Sequence, residues 1–515
     1  MRISFRVAPG TSPLFLDYLD AWSLLQPFYS NYYAPETIAE NARKRSPLPA
    51  SHRERLCTAL AEQHAKWEVG AGGTRGIEKL RAGAVAVVTG QQPGLFTGPM
   101  YAIYKAITAI KLAAFLNDSQ IPAVPVFWVA AEDHDHEEIR NAFILNREFA
   151  LHELRVDLVG EATAPVGWTE YGEDIRTVID QCMEALPQSE FSGEVRSLLE
   201  GAYRPGGSPV DAFGRMMSRL FADSEMIFVN PLHSELKELT KPTLDAAVAA
   251  NDAIRSAVLA RNEDLLKAGY HAQVKVDKNF TGLFRYNGKL RQVLKPAELS
   301  SNGGALSPNA LLRPVVQDAL FPTVAYVGGP AEIAYFAQSA AVYKTMRRSM
   351  PVVFPRLSAT LLEPKIKRAM PKFGLDFFDV FLGPDGLRRK AAEGTQDVAA
   401  FDRVRADVSG ALESLGPLLK AVDPTLLGAL ENSHQKALYQ VEGLRTKFLN
   451  AAAKRNEVLD RQVEAIGNSL FPDKKLQERV INLTSFLVRY GPGLIGRLEK
   501  QLDIDPTEHQ IVEIE

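Results

Sequence analysis

Directly after the apolar stretch AVPVFWVA (residues 123–130) the chain reads Glu132-Asp133-His134-Asp135-His136-Glu137-Glu138, an unbroken row of titratable side chains. Two chemistries use these types at this spacing. His134 and His136, with Asp133 or Asp135, offer the nitrogen and oxygen donors that a divalent metal takes. Alternatively, Asp133 and His134, with Asp135 beside them, act as general base and electrostatic partner for a reacting amine or hydroxyl, and Glu132 meets substrate at the same edge. Glu137 and Glu138 suit the first turn of the following EEIRNAFIL helix, whose dipole favours negative charge.

A second chemical feature is the loop GQQPGLFTGP (residues 90–99), which joins an apolar strand to a helix. Free N–H groups at such a helix start attract phosphate or carboxylate, and glycines let backbone approach a ligand closely. Thr89, Gly90, Gln91, Gln92, Gly94, Thr97 and Gly98 are therefore candidate nucleotide-binding residues, and Lys105 either reaches the same anion or lies in solvent. The string is neither GxGxxG nor a P-loop, so a tight connection without ligand is the competing reading. The strand-glycine-helix device recurs at Gly328-Gly329-Pro330 with Glu332, where Tyr326 and Tyr335 could wall a pocket. Arg313 and Arg356 present fixed donor forks suited to a carboxylate or phosphate; surface ion pairing competes equally for each. Gln477, Arg479 and Asn482 in LQERVINL could add a separate polar site against the core. Cys57 and Cys182 have no base signature beside them and read as buried small hydrophobes.

Positioning these residues falls to strands and helices whose patterns are explicit. AVAVVT (residues 84–89) and AVPVFWVA are short runs rich in β-branched residues, as strands buried on both faces are. YAIYKAITAIKLAAFLND between them has helical spacing after Pro99, so the unit is a right-handed crossover between parallel strands. TVAYV (residues 323–327) and residues 351–355 add further strands, and the fold class is α/β with a doubly wound, Rossmann-like sheet. Residues 271–276 and 282–293 alternate, and Asn287-Gly288 is a hairpin cue, which implies a smaller antiparallel subdomain inserted in the core. The expected divisions are a helical lead-in at 1–82, a first βαβ unit at 83–150, an inserted α+β region at 151–310 and a second core part at 311–385. A coiled-coil arm at 386–471 and a C-terminal segment packing on the core at 472–515 complete them. In the arm Leu430, Ala437, Leu444, Ala451, Val458 and Ala465 recur every seventh residue, with Val441 and Phe448 between them. A helix over that span would run about 70 Å at ~1.5 Å per residue and needs a partner, either residues 401–422 folding back or a second chain, the latter favoured.

At 515 residues the chain exceeds the ~250–300 residues of a single core. Its net charge of -3 supplies no basic field for nucleic acid. Two distant cysteines give neither a disulfide framework nor a zinc ribbon, which points to a reducing compartment. The N-terminus meets Pro9, Gly10 and Pro13 early, unlike a signal peptide, and no stretch reaches the roughly 20 apolar residues of a membrane span, so the expected location is the cytoplasm.

VVTGQQPGLFTGPMYAIYKAI, PVFWVAAEDHDHEEI, AGYHAQVKV, LLRPVVQDALFPTVAYVGGPAEIAYFAQ, PVVFPRLS and LQERVINLTSFLVRYGP together strongly resemble the BshC family, the cysteine ligases of bacillithiol biosynthesis. The resemblance covers nearly the whole chain. It implies addition of L-cysteine to the free amine of glucosaminyl-malate, a Rossmann-like core with connecting-peptide insertions, and a coiled coil that makes a homodimer. The family is distantly similar to class I synthetase cores, in which a His-x-Gly-His loop holds ATP; here Phe96-Thr97-Gly98-Pro99 stands at that place and both histidines are missing. Arg356-Leu357-Ser358 is at best a reduced counterpart of their Lys-Met-Ser-Lys-Ser loop. ATP or another adenine nucleotide is the expected source of carboxyl activation. The competing functions are a nucleotide-binding scaffold built around the coiled coil and a nucleotidyltransferase acting on another small acid.

Overall fold

A computed structural model of the chain describes residues 1–299, 304–394, 398–455 and 457–515. The chain divides into two compact units. The larger takes Met1–Arg147, Leu151–Thr360 and Gln477–Val512; the smaller takes Glu148–Ala150, Leu361–Leu476 and Glu513–Glu515. Among the described residues no helix is long and apolar enough to cross a membrane.

The larger unit is organised by a five-stranded sheet. Its strands are β1 (Val85–Gln91), β2 (Ala123–Val129), β3 (Ile227–Val229), β4 (Thr323–Gly328) and β5 (Val352–Pro355), all parallel, in the order β5-β4-β1-β2-β3. Every residue of β2 is buried, which is why its sequence is a continuous apolar run with no alternation. Helix α1 (Tyr101–Asp118) follows β1 and helix α2 (Pro330–Thr345) follows β4, each with most of its length buried. Chain order reverses between β1 and β4, and in open parallel sheets the crevice outside the carboxyl ends at such a switch point takes ligands. Gly90 is required there because a Cβ would sit 2.8 Å from the Trp128 carbonyl oxygen on β2.

The segment expected to be wholly inserted, 151–310, instead returns to the core: β3 lies within it and pairs with β2, Phe127 facing Phe228. Three residues of edge strand carry too little periodicity to be read beforehand. The antiparallel subdomain is a three-stranded sheet of Leu283–Asn287, Leu290–Val293 and Leu306–Pro308, turned at Asn287-Gly288 with Gly288 at φ +58°. Residues 271–276, read as a strand from their alternation, form none: they run irregularly, anchored where the Gln338 side chain bonds the Val274 backbone at 2.8 and 2.9 Å. Residues 300–303, within the same expected region, lie outside the described residues.

In the smaller unit the arm is built from Leu426–Arg455 and Glu457–Leu470. The helix Ala399–Glu413 folds back along it, with Phe401 against Phe448 at 5.3 Å and Ser409 bonded to His434 at 2.7 Å. The strict seventh-residue seam drifts off the covered face: Leu449 is buried, whereas Leu444 is 61% and Val458 55% exposed. A straight helix rotates ~20° per heptad away from a 3.5-residue repeat, which accounts for the drift.

Candidate functional site

A cleft of about 630 Å³ opens at the switch point. Gly90, Gln91 and Gln92 enter it from β1, Glu132, Asp133 and His134 from β2, and Gly329 and Glu332 from β4; Phe284 and Arg291 close it from the antiparallel sheet. The two segments singled out by chemistry meet directly: the Gln92 side-chain amide donates to Asp133 Oδ2 at 2.9 Å. Asp133 Oδ1 accepts from the backbone N–H of His134 at 2.7 Å. A larger cavity of about 1020 Å³ lies at the opposite ends of β4 and β5, beside Thr323 and Pro351, and holds none of the residues singled out above.

Buried charges in the cleft fall into paired and unpaired sets. Glu132 is bonded by Lys237 and by the Tyr286 hydroxyl (2.7 Å). Burial alone would raise its carboxyl, but Lys237, Arg291 and Tyr286 outweigh that and hold it below the usual range. Lys105, read as reaching a phosphate or lying in solvent, does neither. Its ammonium is buried, donating to Gly90 O (2.8 Å) and Gln91 Oε1 (2.9 Å) and pairing with Glu332. Glu332 is equally committed, accepting from the Tyr326 hydroxyl (2.6 Å) and the Gly329 N–H (2.8 Å), so it caps its own helix. Arg356 is sealed against Glu478 at 2.6 Å, both nearly inaccessible, and stacks 5.5 Å from the Tyr101 ring centre. Arg313 differs: its guanidinium donates to Gln317 Oε1 (2.9 Å) and to the hydroxyls of Tyr335 (2.6 Å) and Tyr326 (3.2 Å), and among the described residues no carboxylate pairs with it. Arg479, whose side chain is exposed, also lines the cleft.

The glycine turn corrects the expected phosphate cradle. Leu95, Phe96 and Thr97 are buried, and the Asn482 amide ties down the carbonyls of Leu95, Phe96 and Gly98 at 3.2, 2.9 and 2.8 Å. The Thr97 N–H donates to the Tyr203 hydroxyl at 3.1 Å, and the Met100 N–H at the helix start donates to Ile481 O at 3.0 Å. Thr89 turns its hydroxyl onto Val327 O at 2.9 Å. Thr89, Gly94, Thr97 and Gly98 therefore build the turn and stay out of the cleft, while Gly90, Gln91 and Gln92 enter it. Gly328 also stays outside, its carbonyl accepting from the Arg356 N–H at 2.9 Å. Positive φ at Phe96 (+51°) and Thr97 (+78°) is a conformation these side chains disfavour, held here by Asn482 and Tyr203.

The metal reading of the histidines is not supported. His136 turns its ring onto Ala164 O at 2.8 Å, and Asp135 caps the short helix His136–Ile139 through the Glu138 N–H. Among the described residues no three His, Cys, Asp or Glu side chains could share an ion. Glu138, assigned beforehand only to the helix turn, lines the cleft and accepts from Gln91 Nε2 at 3.1 Å; burial first, then Asp135 and Asp133, push its carboxyl up. Burial raises the thiols of Cys57 and Cys182, to about 11 and about 12, which suits inert core residues. Arg291 escaped the sequence reading, yet it stands opposite Tyr286 in the hairpin register and so shares the face that meets Glu132.

A Rossmann-like sheet with an acid- and arginine-lined cleft at its switch point defines an α/β protein with a candidate ligand site at the carboxyl ends of its strands. Residues 1–357 match the family description "Bacillithiol biosynthesis BshC, N-terminal Rossmann-like domain" and residues 359–514 match "Bacillithiol biosynthesis BshC, C-terminal coiled-coil domain". The chain belongs to the BshC family. It is 35% identical to a protein of Koribacter versatilis and 34% identical to one of Solibacter usitatus, over 98% of each chain. It is 34% identical to one of Salinibacter ruber over 99% of this chain and 98% of that one, and all three carry the name "Putative cysteine ligase BshC".

The paired carboxylates set an acid limit on stability. Glu132, Glu332 and Glu478 are each pushed up by burial but held below the ordinary value by Lys237, Lys105 and Arg356 respectively. Their folded pKa lies below the unfolded ~4.3, so the stability they contribute is present above that pH and lost as pH falls through the folded values. Lys237→Met should leave Glu132 buried without its cation, lower unfolding free energy by ~3–5 kcal/mol in urea titrations, and flatten part of the loss between pH 5 and 3.

Proposed function

We propose that this protein is a cysteine ligase that joins the carboxyl of L-cysteine to the free amine of glucosaminyl-malate, the step that completes bacillithiol. The observation that carries the reading is the Gln92–Asp133 contact, which fixes a carboxylate at the mouth of the switch-point crevice. Amide formation needs a neutral amine, an activated carboxyl and a place for the proton released. Asp133 is the proton acceptor: the amine nitrogen attacks the activated carbonyl carbon, the C–N bond forms, the leaving group departs, and the ammonium proton passes to the carboxylate. Arg313, which among the described residues has hydroxyl and amide partners only, is the cation best placed to hold the malate carboxylate, and Arg479 is the second available one. Arg356 is withdrawn from that role by Glu478.

ATP as the activating agent belongs to the same proposal. The glycine turn does not fit its phosphates, because the N–H groups of Thr97 and Met100 are already bonded. Free buried thiols at Cys57 and Cys182 suit the reducing cytoplasm as the place of action. The smaller unit supports pairing with a second copy of the chain: Leu418, Val422, Tyr439 and Leu444 leave 65%, 76%, 75% and 61% of their surfaces exposed on the arm and the helix beside it.

Purified protein incubated with glucosaminyl-malate, cysteine and ATP should yield the thiol by mass spectrometry, and omission of ATP should abolish it. Asp133→Asn should lower kcat by ~10²–10⁴-fold. Arg313→Met should act mainly on KM for glucosaminyl-malate, raising it about 10–100-fold, as loss of a charged hydrogen bond does. Full activity of Asp133→Asn would reject the assignment. Light scattering should give twice the 56.7 kDa chain mass, and Leu418→Glu with Leu444→Glu should return the monomer; a monomeric native protein would reject the pairing.

A further inference from the structure

Arg291 is the one arginine of the cleft brought in by the antiparallel sheet, and it is held rigidly. Its guanidinium stacks 3.8 Å from the Phe284 ring centre, donates from Nε to Ser307 Oγ at 3.0 Å and from Nη2 to Pro308 O at 2.7 Å. The remaining nitrogen, Nη1, lies 3.3 Å from His134 Nδ1. A guanidinium has no acceptor, so this contact forms only when Nδ1 carries a lone pair. Asp133 Oδ1 offers Nδ1 no alternative as a proton acceptor: it stands 3.7 Å away, beyond hydrogen-bond reach, and is already bonded by the His134 backbone N–H at 2.7 Å. The ring edge packs on Phe284 at 5.8 Å between centres, which fixes its orientation.

We infer that Arg291 locks His134 as a neutral imidazole with its proton on Nε2, making His134 a hydrogen-bond donor to the reacting oxygen and not the base. In the proposed reaction, amine attack moves the carbonyl electron pair onto oxygen, and the Nε2–H steadies that oxyanion until it collapses and expels the leaving group. The amine proton goes to Asp133. Arg291 acts through His134 and is a positioning residue. The charged and titratable groups facing His134 are Arg291 from the antiparallel sheet and Asp133, Asp135 and His136 from its own segment; burial first, then Arg291, lower its pKa against the opposing carboxylates. Retaining Nδ1 bare is thus favoured both by the donor at 3.3 Å and by the cost of a second cation beside the first.

The donor role rests on the amide-forming reading, but the tautomer does not, and the two are measured separately. In substrate-free protein labelled with ¹⁵N at histidine, the resonances lost in His134→Gln should show a protonated Nε2 and a bare Nδ1 in the neutral ring, which should titrate below the ordinary ~6.5. In Arg291→Met the same ring should titrate at higher pH than in the native protein and lose the single tautomer. A neutral ring protonated on Nδ1, or one that titrates above the ordinary ~6.5 in the native protein, overturns the inference whatever the reaction proves to be. In the thiol-forming assay His134→Gln, whose amide is still a donor, should stay within about 10-fold of the native rate, whereas His134→Ala should lose ~10²–10³-fold. Equal losses in the two variants, with the acid limb of the rate–pH profile removed in both, would establish His134 as the base and overturn the donor role.

Discussion

The hydrogen bond from Gln92 to Asp133 ties together the carboxyl ends of two neighbouring strands, and the chemistry available to this protein depends on it. Parallel pairing of β1 with β2 places Gly90 opposite Trp128, close enough that only glycine fits. The chain then leaves both strands on the same side of the sheet. Gln92 and Asp133 are therefore delivered to one crevice by backbone geometry, before any side chain chooses a partner. A carboxylate restrained on both oxygens, by Gln92 and by the His134 N–H, presents one orientation to the crevice.

Around that carboxylate the distribution of compensated and uncompensated charge selects what the crevice can hold. Lys105, Lys237 and Arg356 each face a buried or half-buried glutamate, so their charges stabilise the walls and attract little from solvent. Such pairs contribute through geometry more than through net energy, since desolvation opposes their attraction. Among the described residues neither Arg313 nor Arg479 has a carboxylate in direct contact, on a surface otherwise rich in tyrosine. An anionic substrate bearing an amine satisfies both halves of this arrangement.

The strands at 84–89 and 123–130 were legible because burial on both faces demands uninterrupted apolar sequence, and the acidic-histidine run was legible because it follows such a strand. Chain order implied the parallel crossover; it did not imply β3, which at three residues has no pattern of its own. The charge pairs could not be read at all: Arg356 and Glu478 are separated by 122 positions, and nothing local in either segment names the other. For the same reason Arg356 was assigned to substrate and Arg291 was overlooked. The glycine turn misled in a different way. Its composition is that of an anion cradle, but Tyr203 and Ile481, supplied from far along the chain, already take the Thr97 and Met100 N–H groups that would bind one.

The most direct test is a crystal structure with glucosaminyl-malate bound. The account predicts the sugar amine within hydrogen-bond distance of Asp133 and a malate carboxylate on Arg313. Density for the ligand in the cavity beside Thr323 and Pro351, with the switch-point crevice vacant, would contradict it.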